Sequence, residues 1–392
     1  MKREIYIILR FLKKRSIGVL SFLNKFFPKR KIILFYNEEI RDNNKYVMEY
    51  MAQNTLISII CFYSLGKPDH KIPEGRVKYI NNSIQLLFYL LTSTIIVTSF
   101  DQRFMIKPAK RQRIVQLWHG YALKQIGSDY LMKEKLRRAY YYTDILCNSE
   151  FWVENVCKAF GAVKHQLHIW DNPRNDLLYY PINHYKLEEI LGRTFNKMIL
   201  WMPTYRKSHK LKDSADSTCD LPVIHSGNIE QLDTCLKKSN DVLVIKLHAL
   251  QNEIRDFAKD STNIIIIDNK TIESQGYELY QFLASADALI TDYSSVYFDF
   301  LKLKKPIGFV FDDYETYKEL RGFAFDDVYN LMPGPKINDV KSFCDFVSNI
   351  EESEMIYRSE RQKIRMLASK WDDNNNSARV SEFIMSIIGD EK

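Results

Sequence analysis

Short apolar runs closed by a polar residue recur along the chain. Residues 31–37 (KIILFYN), 54–64 (NTLISIICFYS), 94–100 (TIIVTSF) and 113–120 (RIVQLWHG) repeat the theme. Residues 144–150 (DILCNSE) and 165–176 (HQLHIWDNPRND) continue it. Continuous apolar runs of this length predict strands buried on both faces. Helical spacing lies between them at 45–52 and 82–91, so strands and helices alternate as in a parallel sheet covered on both sides. A second series starts at 197–206 (KMILWMPTYR) and runs through 241–248 (DVLVIKLH), 263–268 (NIIIID), 286–295 (ADALITDYSS) and 305–311 (KPIGFVF), with helices expected at 278–285 and 295–303. Turn formers crowd DNPRNDLLYYPIN, the expected crossover, and the polar stretch 209–220 reads as a loop. The economical architecture is α/β, with two doubly wound domains at 31–180 and 181–392 behind a leading segment of residues 1–30.

That leading segment changes the charge picture. The 392 residues carry a formal charge of +7. Residues 1–31 hold ten cations, among them Lys13, Lys14, Arg15, Lys25, Lys29, Arg30 and Lys31, against the single acid Glu4. Ile5, Ile8, Leu9, Leu20, Leu23, Phe26 and Phe27 are interleaved. Arg10 and Lys13 to Arg15 interrupt the apolar run, so a spanning helix is not expected, and no clean signal-peptide core is evident. The pattern predicts an amphipathic helix on an anionic membrane surface; a first helix packed on the domain with solvated cations is the plainer alternative. No nucleic-acid recognition motif follows, so nucleic acid is not an expected partner. Six widely spaced cysteines without a C-x-x-C pair predict reduced thiols rather than a zinc site.

Candidate chemistry gathers at strand ends, where an α/β protein keeps its ligands. Trp118-His119-Gly120 ends the fourth run, Pro203-Thr204-Tyr205-Arg206 the first run of the second series, Lys246-Leu247-His248 the next, and Thr291 to Ser295 a later one. In ALITDYSSVYFDFLKL a strand turns into a helix, and Ser294 or Ser295 is placed to cap it. Such an N-terminus attracts phosphate, although plain capping explains the serines equally. His119 and His248 stand apart from the other six histidines because each closes an apolar strand, one per proposed domain. Imidazole suits either proton removal or phosphate stabilisation. No H-E-x-x-H motif or carboxylate cluster accompanies them, so no metal is expected. Arg321 beside Gly322 offers a fork for a diphosphate, with room for close backbone approach. No Walker loop or G-x-G-x-x-G is present.

LWHGYALKQIG, NPRND, MPTYR, TDYSSVYFDFLKLKKPIGF and LRGFAFD, in that order, resemble the CDP-glycerol glycerophosphotransferase family of teichoic acid and capsule synthesis. NNKYVMEYM (43–51) and DDNNNSARV (372–380) extend the likeness over about residues 31–380. The resemblance implies two Rossmann-like domains facing a cleft in the GT-B manner and a peripheral enzyme on the cytoplasmic face of the membrane. It implies a CDP-polyol donor and an undecaprenyl-diphosphate-linked or polymeric acceptor, with no cofactor. It implies His119 as general base, His248 beside the transferring phosphate, and Ser294, Ser295 and Arg321 as phosphate contacts. Gly120, Lys124, Arg174, Thr204, Arg206, Thr291 and Asp292 fall in the same motifs and join the substrate-binding candidates. Tyr121-Ala122 and Ala249 depart from the family pattern beside the two histidines. A sugar-nucleotide glycosyltransferase on the same architecture is the competing expectation.

Overall fold

In a computed structural model of the chain, the structure describes residues 16–63, 75–101, 105–127, 140–203, 221–224, 227–246, 258–320 and 322–389. Two all-parallel sheets carry the fold. The first comprises β1 (Arg30–Tyr36), β2 (Ser58–Phe62), β3 (Val77–Ile80), β4 (Ser93–Thr98), β5 (Arg113–Gln116), β6 (Asp144–Cys147) and β7 (Leu167–Ile169), in the spatial order β3-β2-β1-β4-β5-β6-β7. The second comprises β8 (Met198–Trp201), β9 (Val242–Lys246), β10 (Ile264–Ile267), β11 (Ala288–Thr291), β12 (Ile307–Val310) and β13 (Lys336–Ile337), in the order β10-β9-β8-β11-β12-β13. Both orders reverse once, between β1 and β4 and between β8 and β11, and such a switch point opens a crevice at the carboxyl ends of its strands.

The chain divides into two compact units. One takes the described residues up to His119, residues 140–176, and those from Asn375 onward; the other takes residues 120–127 and Leu177–Asn374. The first division falls inside the Trp-His-Gly triplet, between His119 and Gly120. The crossover stretch holds a second, after Asp176, four residues before the expected boundary at 180.

In the first unit, α1 (residues 16–23) leads into β1. Its end is tied down by buried Asn24, whose amide donates to the Lys107 carbonyl (3.0 Å) and to Gln112 Oε1 (2.8 Å). The first 15 residues of the expected amphipathic segment lie outside the described residues. Lys29, one of the cations of that segment, turns inward, with Nζ on Asn24 Oδ1 (2.8 Å) and the Leu91 carbonyl. Burial pulls its pKa down to about 8. Helix α2 (Asp42–Asn54) begins three residues before the expected start, and α3 (Ser83–Thr92) is capped by Asn82, which accepts from Ile84 N at 2.8 Å.

In the second unit, the inward face of the sheet packs Ile199, Trp201, Leu243, Ile245 and Ile290 against Leu232 and Leu236 of α4 (Ile229–Ser239). Fully buried aliphatic and aromatic side chains of this kind each contribute about 1.5–3 kcal/mol. The expected helix at 295–303 is a short α5 (Val296–Phe300) followed by a 3-10 turn over Leu301–Leu303. Helix α6 (Val340–Ser348) adds Phe343, edge-on to Trp201.

Residues 375–389, expected in the second domain, cluster instead with the first unit. Helix α7 (Asn376–Gly389) packs on α2. Its first turn is held by Asp176, which accepts from the backbone N–H groups of Asn376 (2.9 Å) and Ser377 (2.9 Å). The last motif of the chain is thus bonded to the NPRND motif two hundred positions earlier.

Candidate active site

Strand β5 delivers Trp118 and His119 beyond the carboxyl edge of the first sheet. The backbone turns sharply there: Trp118 has φ +48° and Gly120 φ +98°. A bulky residue in the left-handed region needs outside support. Asn43, in the first turn of α2 and fully buried, supplies it. Its amide nitrogen donates to the carbonyls of Leu117 (3.0 Å) and Trp118 (3.0 Å) and to Asn172 Oδ1 (3.1 Å). Trp118 N donates to Gln116 Oε1 at 2.8 Å.

The half-buried His119 ring stacks on Phe100 (4.9 Å between centroids, 16° between planes) and lies 4.2 Å from the Trp118 ring. Its Nδ1 is 3.0 Å from the Ser99 carbonyl oxygen. A carbonyl only accepts, so Nδ1 carries the hydrogen in this contact and Nε2 is the accepting nitrogen of the neutral ring. Ser99 is itself fixed: its hydroxyl donates to Asn44 Oδ1 and accepts from Asn44 N, each at 2.9 Å.

Arg174, expected to meet substrate, is 5% exposed and turned into the protein. Its Nη1 donates to the His119 carbonyl (2.8 Å) and to Asp42 Oδ1 (2.9 Å), while its backbone N donates to Asn43 Oδ1 (3.2 Å).

In the second unit, residues 120–127 run against the segment that follows position 321. Gln125 N donates to the Gly322 carbonyl (3.1 Å) and Ala324 N to the Leu123 carbonyl (2.7 Å), and an antiparallel bridge joins Lys124 to Phe323. Gly322 sits at φ +81° with Gln125 Oε1 only 2.8 Å from where a Cβ would stand. Phe323 then packs on Tyr293 (5.1 Å) and Tyr317 (5.6 Å). Three stretches far apart in sequence therefore meet: Leu123 to Gln125, the turn that carries Tyr293, and Gly322 to Ala324.

Thr291 and Asp292 are buried at the end of β11, beside the switch point. Thr291 Oγ1 donates to the Met202 carbonyl at 3.1 Å, joining β11 to the chain leaving β8. Tyr293 is fully buried, and Ser294 and Ser295 are half-buried. Ser294 Oγ is 3.5 Å from Val296 N, whereas Ser295, at the cap position of α5, makes no side-chain capping bond. Of the two serines, Ser294 is the one that leans on the helix.

His248, Thr204, Arg206 and Arg321 lie outside the described residues. Among the described residues no group of three or more His, Cys, Asp or Glu side chains is arranged to hold a metal, and the five described cysteines are free. The polar residues around His119 were not singled out from sequence as site residues. Asp42, Asn43 and Asn44 open a helix, Ser99 follows a strand, and Asn172 precedes a proline, all ordinary places for such side chains. The stretches NNKYVMEYM, which opens on Asn43 and Asn44, and NPRND, which opens on Asn172, were the signals at hand.

A profile described as CDP-Glycerol:Poly(glycerophosphate) glycerophosphotransferase matches residues 19–386. A teichoic acid glycerol-phosphate primase of Bacillus subtilis (strain 168) is 29% identical over 328 residues, covering 78% of this chain and 77% of that protein. A teichoic acid ribitol-phosphate primase of Bacillus spizizenii is 25% identical over 380 residues, covering 91% of each. The solved wall teichoic acid polymerase TagF superposes with a TM-score of 0.75 at 21% identity, over 99% of this chain and 97% of that one, a likeness of fold.

Proposed function

This chain belongs to the CDP-glycerol:poly(glycerophosphate) glycerophosphotransferase family, and from that premise we propose that His119 is the base with which it transfers polyol phosphate from a CDP-polyol to an acceptor hydroxyl. The donor is CDP-glycerol or CDP-ribitol, since the named relatives divide between glycerol phosphate and ribitol phosphate. The acceptor is a lipid-linked saccharide or a growing polymer, met at the cytoplasmic face of the membrane by a peripheral enzyme whose two units act as a GT-B pair.

The reading rests on the 3.0 Å contact between His119 Nδ1 and the Ser99 carbonyl. That contact makes Nε2 the nitrogen that can accept a proton. In the proposed reaction the acceptor hydroxyl gives its proton to Nε2 as its oxygen attacks the phosphorus bearing the polyol. The phosphoanhydride bond to CMP breaks, and CMP leaves with the electron pair. Phosphoryl transfer needs alignment and charge stabilisation above all. Thr291, Asp292, Ser294 and Ser295 are the proposed contacts of the diphosphate, together with His248, Arg321, Thr204 and Arg206. Gly120 and Lys124 are proposed to line the same site. No metal or cofactor is invoked.

CMP release measured with CDP-glycerol, CDP-ribitol and UDP-sugars, with mass analysis of the extended lipid acceptor, tests this reading. We expect turnover with a CDP-polyol and none with UDP-sugars, and a fall of at least about 100-fold in His119→Ala. Full turnover by His119→Ala removes the base assignment. Turnover with a UDP-sugar alone replaces the phosphotransferase with a glycosyltransferase.

A further inference from the structure

We infer that Asn43 and Arg174 are positioning residues for His119, a clamp on the backbone of the base rather than contacts of the substrate. The inference rests on the base assignment proposed above, and deepens it.

Three features single out this pair. First, the turn they hold is one the chain does not adopt unaided. Trp118 is a non-glycine residue at φ +48°, followed after His119 by Gly120 at φ +98°, and left-handed backbone at a bulky residue costs about 1–2 kcal/mol. Second, the clamp closes on consecutive carbonyls. Asn43 Nδ2 holds those of Leu117 and Trp118, and Arg174 Nη1 holds that of His119 at 2.8 Å. Third, the two clamping residues are joined to each other and buried. Arg174 N donates to Asn43 Oδ1 (3.2 Å), its guanidinium is paired with Asp42 (2.9 Å), and the two residues are 5% and 0% exposed. Nη1 of the guanidinium is thus held by two protein oxygens.

The neighbouring position completes the device. Asn44 binds Ser99 through both its backbone N and its Oδ1, and Ser99 supplies the carbonyl that sets the His119 tautomer. One helical turn, Asp42 to Asn44, therefore holds the base from two sides: the backbone through Asn43 and Arg174, the ring through Asn44 and Ser99. A base whose accepting nitrogen strays by about 1 Å loses on the order of 100-fold in rate. A clamp of this kind acts on the chemical step and leaves donor affinity alone.

The variants Asn43→Asp and Arg174→Lys test it. The first keeps side-chain volume but removes both amide donors. The second keeps the charge but loses the fork. We expect kcat to fall about 10- to 100-fold in each, with KM for the CDP-polyol within about twofold of wild type, because uniform binding is untouched. Arg174→Met should fall further than Arg174→Lys. A second readout needs no turnover: the rate at which diethyl pyrocarbonate modifies His119, followed by peptide mass spectrometry, should rise in the variants as the ring leaves the Phe100–Trp118 stack.

A raised KM with kcat retained would return Arg174 to the substrate site and overturn the clamp. So would wild-type kcat together with wild-type His119 reactivity, or failure of both conservative variants to fold in thermal melts, which would make the pair fold supports only. If wild-type protein turns over no CDP-polyol, the transferase reading fails by itself. The modification rates then still decide whether the clamp holds His119.

Discussion

At Gly322 the backbone has little room beside residues 123–125. At φ +81° an alanine is strained whatever room it has, and its Cβ would stand 2.8 Å from Gln125 Oε1. The Gln125 tip is the far end of a flexible side chain and can swing aside, so the cost lies in the backbone. Gly322→Ala should lose about 1–2 kcal/mol in urea unfolding, and adding Gln125→Ala should recover little of it. Full recovery in the double variant would mean that crowding, not φ, excludes a side chain there. The histidine of Trp-His-Gly was legible because it interrupts an apolar strand at its end. The supporting roles were not: the motifs mark Arg174 as a substrate contact and Ser99 as nothing, and their bonds to the His119 segment emerge only when residues 55 to 131 positions apart are brought into contact.

At the level of elements, the buried strands were readable because burial on both faces leaves a continuous apolar run: β1, β4, β9 and β12 fall within two residues of expectation at both ends, whereas β8 and β11 start within two residues of it but stop five and four residues short of the expected ends. Two of the four edge strands, β3 and β13, were not readable, although the edge strand β10 (Ile264–Ile267) falls within a residue of the expected run 263–268. β3 (VKYI) is partly exposed and β13 is two residues long, so neither has a pattern to read. The amino ends of β5, β6 and β7 are tied together by one carboxylate. Asp144 on β6 accepts from Arg113 Nε on β5 (2.8 Å) and from Thr143 (2.7 Å), and lies 2.8 Å from His168 Nε2 on β7. Burial alone would raise its pKa, but these bonds outweigh it and hold the carboxyl below the usual range. A lowered folded value means that the ionised form stabilises the fold above about pH 4. That contribution disappears as acid takes the pH down through the lowered value. Asp144→Asn should therefore cost about 1.5–3 kcal/mol near neutrality, and the gap from wild type should close as the pH falls below the carboxylate range. Denaturant midpoints of both proteins from pH 7 to pH 2 test this; a gap constant over that range would show that the charge does not matter.

For the whole molecule, the remaining question is how a chain with no described helix long and apolar enough to cross a membrane would meet the lipid-linked acceptor proposed for it. The first unit exposes large apolar side chains beside cations. Val19, Phe22 and Phe26 are 58%, 58% and 70% exposed, and Leu23 and Phe27 are also exposed. From α3, Ile84 and Phe88 are exposed as well, and the Arg30 guanidinium lies 5.5 Å from the Phe88 ring. Lys25, Arg30 and Lys31 remain outward, although Lys29 does not. Solvated cations alone would explain the charge but not rings left in water next to it. Insertion of rings beneath anionic headgroups accounts for both. The proposed peripheral association predicts flotation with vesicles containing phosphatidylglycerol and little with pure phosphatidylcholine. Phe22→Ser and Phe26→Ser should each weaken binding roughly tenfold, and salt should weaken it further by screening the cations. The two contributions separate cleanly in that experiment: ring variants act at any ionic strength, whereas charge variants at Lys25 and Lys31 lose their effect in high salt. Equal binding to both kinds of vesicle, or to neither, would leave the exposed rings to another partner and detach the acceptor proposal from this face.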